Sequence, residues 1–141
     1  MNIEQHELFI QTSGRGTQNI TTEISKMVRK SQIKTGICHL FLQHTSASLM
    51  ICENYDEQVR KDLENFLSRL IPDGGPLFKH VIEGKDDMPA HIRTILTQTE
   101  MNIPVTNGEL GLGTWQGIFL YEHRYDPQRR QILITTIGSQ L

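Results

Sequence analysis

The sequence predicts a single α+β domain over residues 1–141, with helices packed on a mixed or antiparallel sheet. Apolar residues alternate with polar ones at both ends of the chain, in IEQHELFIQT near the start and in GTWQGIFLYEHR and RQILITTIG near the finish. Between them the apolar spacing lengthens to that of a helix in three segments. No repeat, low-complexity tract or linker interrupts the 141 residues, and a chain of that size buries roughly two thirds of its unfolded surface, enough for one core.

Residues 3–12 form the opening strand, and SGRG is the loop that ends it. From Thr17 the residues Ile20, Ile24, Met27 and Val28 share a helical face, with Thr17 or Asn19 able to cap it. KTGICHLFLQHT is apolar on both faces, which makes it a central strand, and SASLMICE follows as the next strand after a bulge or tight turn. NYDEQVRKDLENFLSRLIP places Val59, Leu63, Phe66, Leu67 and Leu70 on one helical stripe, stopped by Pro72, Gly74 and Gly75. AHIRTILTQT is the third helix, with Pro89 in its first turn and Asp86 or Asp87 at its cap. MNIPVT, an Asn107-Gly108 turn, GTWQGIFLYEHR and RQILITTIG then read as successive antiparallel strands.

Composition narrows the function classes. Hydrophobic content of 37% with 21% charged residues is that of a globular chain. A net charge of -2 gives no general electrostatic basis for nucleic-acid binding, so a small substrate is expected; Arg129 and Arg130 are either local anion contacts or solvated side chains opening a strand. No run of about 20 apolar residues is present to span a bilayer, and the N-terminus lacks the order of a signal peptide, so a cytoplasmic protein with no membrane partner is expected. Cys38 and Cys52 are expected to be reduced thiols in or near the core.

Three stretches carry more chemistry than packing requires. QHTSASLMICEN gathers His44, Thr45, Ser46, Ser48, Glu53 and Asn54 around a short apolar run. KHVIEGKDDMPAHIR holds His80, Glu83, Asp86, Asp87 and His91, and the four-residue spacing of Asp87 and His91 aligns them on one helical face. Imidazole and carboxylate suit zinc, manganese or iron, although an aspartate cap and an exposed histidine explain the same residues without a metal. GTWQGIFLYEHR puts Trp115, Phe119, Tyr121 and His123 on one strand face and Gln116 and Glu122 on the other. There Trp115 is either a core residue or part of a site, and Glu122, His123 and Arg124 are either functional or solvated strand-end groups. His6 and His39 lie inside strand patterns and read as structural.

QHTSASLMICEN, EGKDDMPAHI and NGELGLGTWQGIFLYEHR, in that order, resemble the YjbQ-like family, described as secondary thiamine-phosphate synthases. Lys85 and Glu100 depart from the expected pattern. The resemblance implies a homotrimer with a polar pocket near the subunit boundary and a weak synthase activity that joins hydroxymethylpyrimidine diphosphate to thiazole phosphate and releases pyrophosphate. The small anionic phosphorylated substrate would be held by Thr45, Ser46, Ser48, Asn54, Trp115 and Gln116. His44, Glu53, Glu122 and His123 are the candidate catalytic residues, and His44, His80, Asp87 and His91 the candidate ligands of a divalent metal, Mg²⁺ or Zn²⁺. The alternatives are a metal-dependent hydrolase of a small phosphorylated or cyclic metabolite, and a non-catalytic trimeric metal- or metabolite-binding protein.

Overall fold

The computed structural model describes residues 1–140. Eight strands and three helices follow the order β1 (Asn2–Gln11), β2 (Gly16–Asn19), α1 (Thr21–Ser31), β3 (Thr35–Leu42), β4 (Ala47–Glu53), α2 (Glu57–Leu70), α3 (Asp87–Leu96), β5 (Glu100–Thr106), β6 (Glu109–Leu110), β7 (Gln116–Glu122) and β8 (Arg129–Ser139). The α+β expectation holds, with two sheets in place of one. Strands β1-β8-β3-β5-β6 form the larger sheet and β2-β7-β4 the smaller. Every pairing is antiparallel.

The last third of the chain departs from the expected run of neighbours. β5 and β8 flank β3 on opposite sides, while β7 crosses to the other sheet between β2 and β4. Local alternation specifies which residues share a face, but it does not specify which strand lies alongside. The helix expected from Thr17 starts later: Gly16–Asn19 pairs with β7 as a strand, and α1 begins only at Thr21, where Asn19 Oδ1 accepts the Thr21 amide at 3.0 Å.

The core lies between the sheets. Leu40, Leu42, Ile132 and Ile134 of the larger sheet meet Leu49, Ile118 and Leu120 of the smaller, and Ile24 and Val28 of α1 join the same cluster. β3 is central in the larger sheet, but only one of its two apolar faces is covered: Cys38, Leu40 and Leu42 are buried, whereas Ile37 and Phe41 are exposed. Cys38 and Cys52 are both unpaired thiols, and burial pushes the Cys38 pKa up to about 11.

The other face of the smaller sheet carries Phe119, Tyr121 and His123, and the helices reach it through polar groups. Arg93 of α3, fully buried, donates to Glu64 of α2 at 2.7 and 3.1 Å, and Tyr121 Oη donates to the same carboxylate at 2.6 Å. The apolar stripe of α2 is only partly covered, at Val59 and Leu67. None of its residues is buried, and Leu63, Phe66 and Leu70 of the stripe are exposed. Glu64, one turn from Arg60, faces the sheet in their place, with Arg60 stacked over the Phe119 ring at 4.5 Å.

This arrangement sets an acid limit. Burial opposes ionisation of Glu64, but the hydrogen bonds from Arg93, Ser68 and Tyr121 outweigh it and bring the pKa to about 2 from 4.5. A folded pKa below the unfolded one gives stability that is complete above about 4.5 and is lost as pH falls toward about 2. Urea midpoints measured across that window should fall in the wild type and fall less in Glu64→Gln. Parallel curves would remove Glu64 from the acid response.

Candidate functional site

The connection from β3 to β4, residues 43–46, carries the chain between the sheets, and its polar atoms are tied on every side. His44 Nε2 accepts the Gln131 amide at 2.8 Å. The Thr45 carbonyl accepts from His91 Nδ1 at 2.8 Å. The Ser46 carbonyl and hydroxyl both accept from Arg130 Nη2, at 3.1 and 2.9 Å. The hydroxyl-rich run is therefore a junction at which β8, α3 and the crossover lock together.

Beside it, α3 begins at Asp87, and its first turn presents Asp87 and His91 on one face. Asp87 Oδ2 lies 2.7 Å from His80 Nε2 and 3.1 Å from His91 Nε2, while Oδ1 accepts from Arg124 Nη1 at 2.9 Å. The three donor atoms of His80, Asp87 and His91 lie within 4.8 Å of one another. Asp87 is 4% exposed, whereas the imidazoles reach solvent. Burial works against its charge, but His80, His91 and Arg124 hold the Asp87 pKa below its ordinary value. Asp86 is the helix cap by position only: its carboxylate turns away from α3 to accept from Arg124 Nε and the Tyr125 amide.

The two nitrogens of His91 have separate duties. A carbonyl can only accept, so Nδ1 carries a proton and donates to Thr45. In the neutral ring Nε2 then presents a lone pair to the Asp87 carboxylate, a contact that is favourable only when a positive charge, a proton or a metal ion, lies between them. A ligating histidine that gives its second N–H to a backbone carbonyl is the arrangement by which proteins fix ring orientation at metals.

Sequence reasoning placed more residues here than the fold brings together. His80, Asp87 and His91 converge. His44 lies nearby, but its Nε2 is occupied by the Gln131 amide and it is outside the triad. Burial, then Arg130, lowers its pKa. Glu122 does not join the cluster: 1% exposed, it accepts from Arg130, Thr12 Oγ1 and the Arg124 amide. His123 is fully buried against Ser48 Oγ at 2.7 Å, and burial followed by Arg93 lowers its pKa to about 3. Ser48 itself is in the interior, bonded to Thr97 Oγ1 at 2.5 Å.

The remaining candidates lie at the opposite end of the β4–β7 pair, where Glu53 is in register with Gln116, as Ala47 is with Glu122 at the near end. Six residues of strand separate the two ends, roughly 20 Å. Glu53 caps the turn into α2 through the Tyr55 and Asp56 amides, Asn54 donates to Thr114, and Gln116 accepts the Gly113 amide. Trp115, 57% exposed, meets the edge of Tyr55. Arg124, read among the strand-end groups, is the residue whose structural part was least visible. It holds Asp86, Asp87 and the Glu83 carbonyl together, and no spacing rule links position 124 to 86 and 87.

Residues 6–139 match the family described as UPF0047 protein YjbQ-like. The chain belongs to the YjbQ-like UPF0047 family. A UPF0047 protein of Synechocystis is 48% identical over 137 residues, covering 96% of this chain and 93% of that relative. The UPF0047 protein YjbQ of Escherichia coli O157:H7 is 42% identical, covering 96% and 98%. A crystal structure of a YjbQ/UPF0047 protein of Clostridium acetobutylicum superimposes with a TM-score of 0.86 at 34% identity, over 94% of this chain and 99% of that one. A Sulfolobus solfataricus structure gives 0.85 at 26% identity, over 98% and 100%, and is described as a protein of unknown function.

YjbQ-like membership corrects one expectation. These UPF0047 relatives are named for the family alone, and none bears a thiamine-phosphate synthase name, so the synthase activity implied by resemblance is withdrawn.

Proposed function

We propose that this YjbQ-like protein is a divalent-metal-binding protein whose centre is His80, Asp87 and His91, with coordination positions left open for an oxygen ligand or water. The observation that carries the reading is the pair of imidazole Nε2 atoms directed at one carboxylate oxygen, with the second nitrogen of His91 already committed to the Thr45 carbonyl.

Two imidazoles and one carboxylate suit zinc and its first-row neighbours better than magnesium, which prefers oxygen donors and retains its waters. Three protein ligands are the complement of an open zinc site, in which the fourth position takes water or a ligand oxygen. Arg124 supports one-oxygen ligation by Asp87, because it occupies Oδ1 and leaves Oδ2 for the ion. The chemistry such a centre supplies is polarisation of the coordinated oxygen and a lowered pKa for bound water.

The test is equilibrium dialysis against Zn²⁺, with Co²⁺ absorption as a report on the ligand set. One ion per chain is expected. His91→Ala should weaken binding by about 100-fold or more, since even the groups supporting metal ligands contribute about 10–100-fold. Its metal-free form should remain folded, with a melting temperature lowered by no more than the loss of the one Thr45 hydrogen bond explains. Failure of the wild type to take up zinc, or equal affinity in the variant, would remove the proposal.

A further inference from the structure

An open cavity of about 720 Å³ reaches the proposed centre at His91, one of its three ligands, and is lined also by His44. That size falls within the range of small-molecule sites. Phe41, Leu42 and Ile95 give it apolar walls. Thr94 and Thr97 also line it, but their hydroxyls donate to the Ala90 and Arg93 carbonyls at 2.9 and 2.7 Å, so what they offer a ligand is chiefly methyl surface. No lysine, arginine, aspartate or glutamate is among the lining residues.

His44 is the polar exception with a defined polarity. The Gln131 amide can only donate, so His44 Nε2 must be the accepting nitrogen and Nδ1 must carry the ring proton. That Nδ1 has no protein acceptor among the described residues. A neutral imidazole with its tautomer fixed by the backbone is a pre-set hydrogen-bond donor, and β8 holds it in place.

Charge selects the class of ligand. With a divalent ion present, Asp87 cancels one of its two charges and neutral His80 and His91 cancel none. Arg124 lies beside the centre, but its charge is matched by the second carboxylate, Asp86. The centre is left with a single positive charge, which a monoanion neutralises. A dianionic phosphate would overcompensate that charge, and the lining offers no basic side chain to match the excess.

We infer that the cavity binds a small monocarboxylate with an apolar body, one carboxylate oxygen on the metal and the other accepting the His44 Nδ1 proton. This rests on the metal reading of the same site. It departs from the phosphorylated substrate that family resemblance implied, and it gives His44 a ligand-binding role in place of a metal-ligating one.

The experiment is calorimetric titration of benzoate and of phenyl phosphate into the zinc-loaded protein, wild type and His44→Ala, with zinc uptake measured separately. Benzoate should bind saturably and more tightly than phenyl phosphate. His44→Ala should weaken benzoate by about 10-fold or more, the effect of one hydrogen bond to a charged group, with zinc affinity unchanged. Zinc uptake without benzoate binding, tighter binding of phenyl phosphate, or equal benzoate affinity in the variant overturns this inference and leaves the metal centre standing. Absence of zinc uptake overturns both. Should His44→Ala fail to fold, imidazole ¹⁵N spectra of the wild type decide: benzoate must shift the protonated Nδ1 of His44, and an unmoved resonance rejects the contact.

Discussion

Arg130→Met is expected to destabilise the protein by about 3–5 kcal/mol, the usual effect of removing one partner from a buried ion pair. Arg130 and Glu122 are 4% and 1% exposed and face each other at the rim of the core between the two sheets. Arg130 Nε donates to Glu122 Oε1 at 2.8 Å, Nη2 donates to Oε2, and the same Nη2 reaches the Ser46 carbonyl and hydroxyl. Removing the guanidinium leaves a buried carboxylate with only Thr12 and the Arg124 amide to bond it. The double variant Arg130→Met, Glu122→Leu should recover most of the loss, because no uncompensated charge then remains. Urea unfolding at neutral pH measures both. A loss below about 1 kcal/mol in Arg130→Met, the level of a surface pair, would show that the pair is not desolvated.

The pair also marks where sequence reading stops. Alternation correctly set Gln116, Ile118, Leu120 and Glu122 on one face of β7, and that face proved to be the core side. A carboxylate on a core face is chemically provocative, and a catalytic residue is the reading it invites. Its partner lies on β8, which belongs to the other sheet, and pairing between sheets leaves no periodic trace in either strand. His123 is the same case on the opposite face: it ends an aromatic stripe and is buried against Ser48 and the Tyr121 ring, contacts that no local spacing announces. By contrast, Asp87 and His91 were legible because their relation is internal to one helix. His80 entered with them only because seven residues and a polar loop separate it from Asp87, a distance the chain can fold back across. The helix α2 was legible in extent, with Asp56 capping it through the Gln58 amide, but not in orientation. Leu63, Phe66 and Leu70 of its apolar stripe face outward, and Arg60 and Glu64 make contacts with the sheet.

Gly36→Ala is expected to be the most damaging conservative substitution in the chain, destabilising it by about 4 kcal/mol or more. Gly36 of β3 and Gly138 of β8 are directly opposite in the register. A Cβ at Gly36 would lie 2.0 Å from the Ile137 carbonyl oxygen, and one at Gly138 would lie 2.1 Å from the Thr35 carbonyl oxygen. Both obstacles are backbone atoms of central strands, so relief requires parting the ladder that joins β1, β8 and β3. Gly16 is the control. Its φ is +145°, but nothing lies within 4 Å of the added carbon, so Gly16→Ala meets backbone strain alone, about 1–3 kcal/mol. Thermal melts separate the two: Gly36→Ala should lower Tm by at least about 10 °C, given a few degrees per kcal/mol for a domain of this size. A drop no larger than that of Gly16→Ala would mean that the two strands can part at little cost. Because the glycine pair lies at the start of β3 and the candidate site lies beyond its end, the fraction of Gly36→Ala that remains folded in the cold should still take up zinc. Loss of zinc binding in that fraction would instead tie the site to the integrity of the whole sheet.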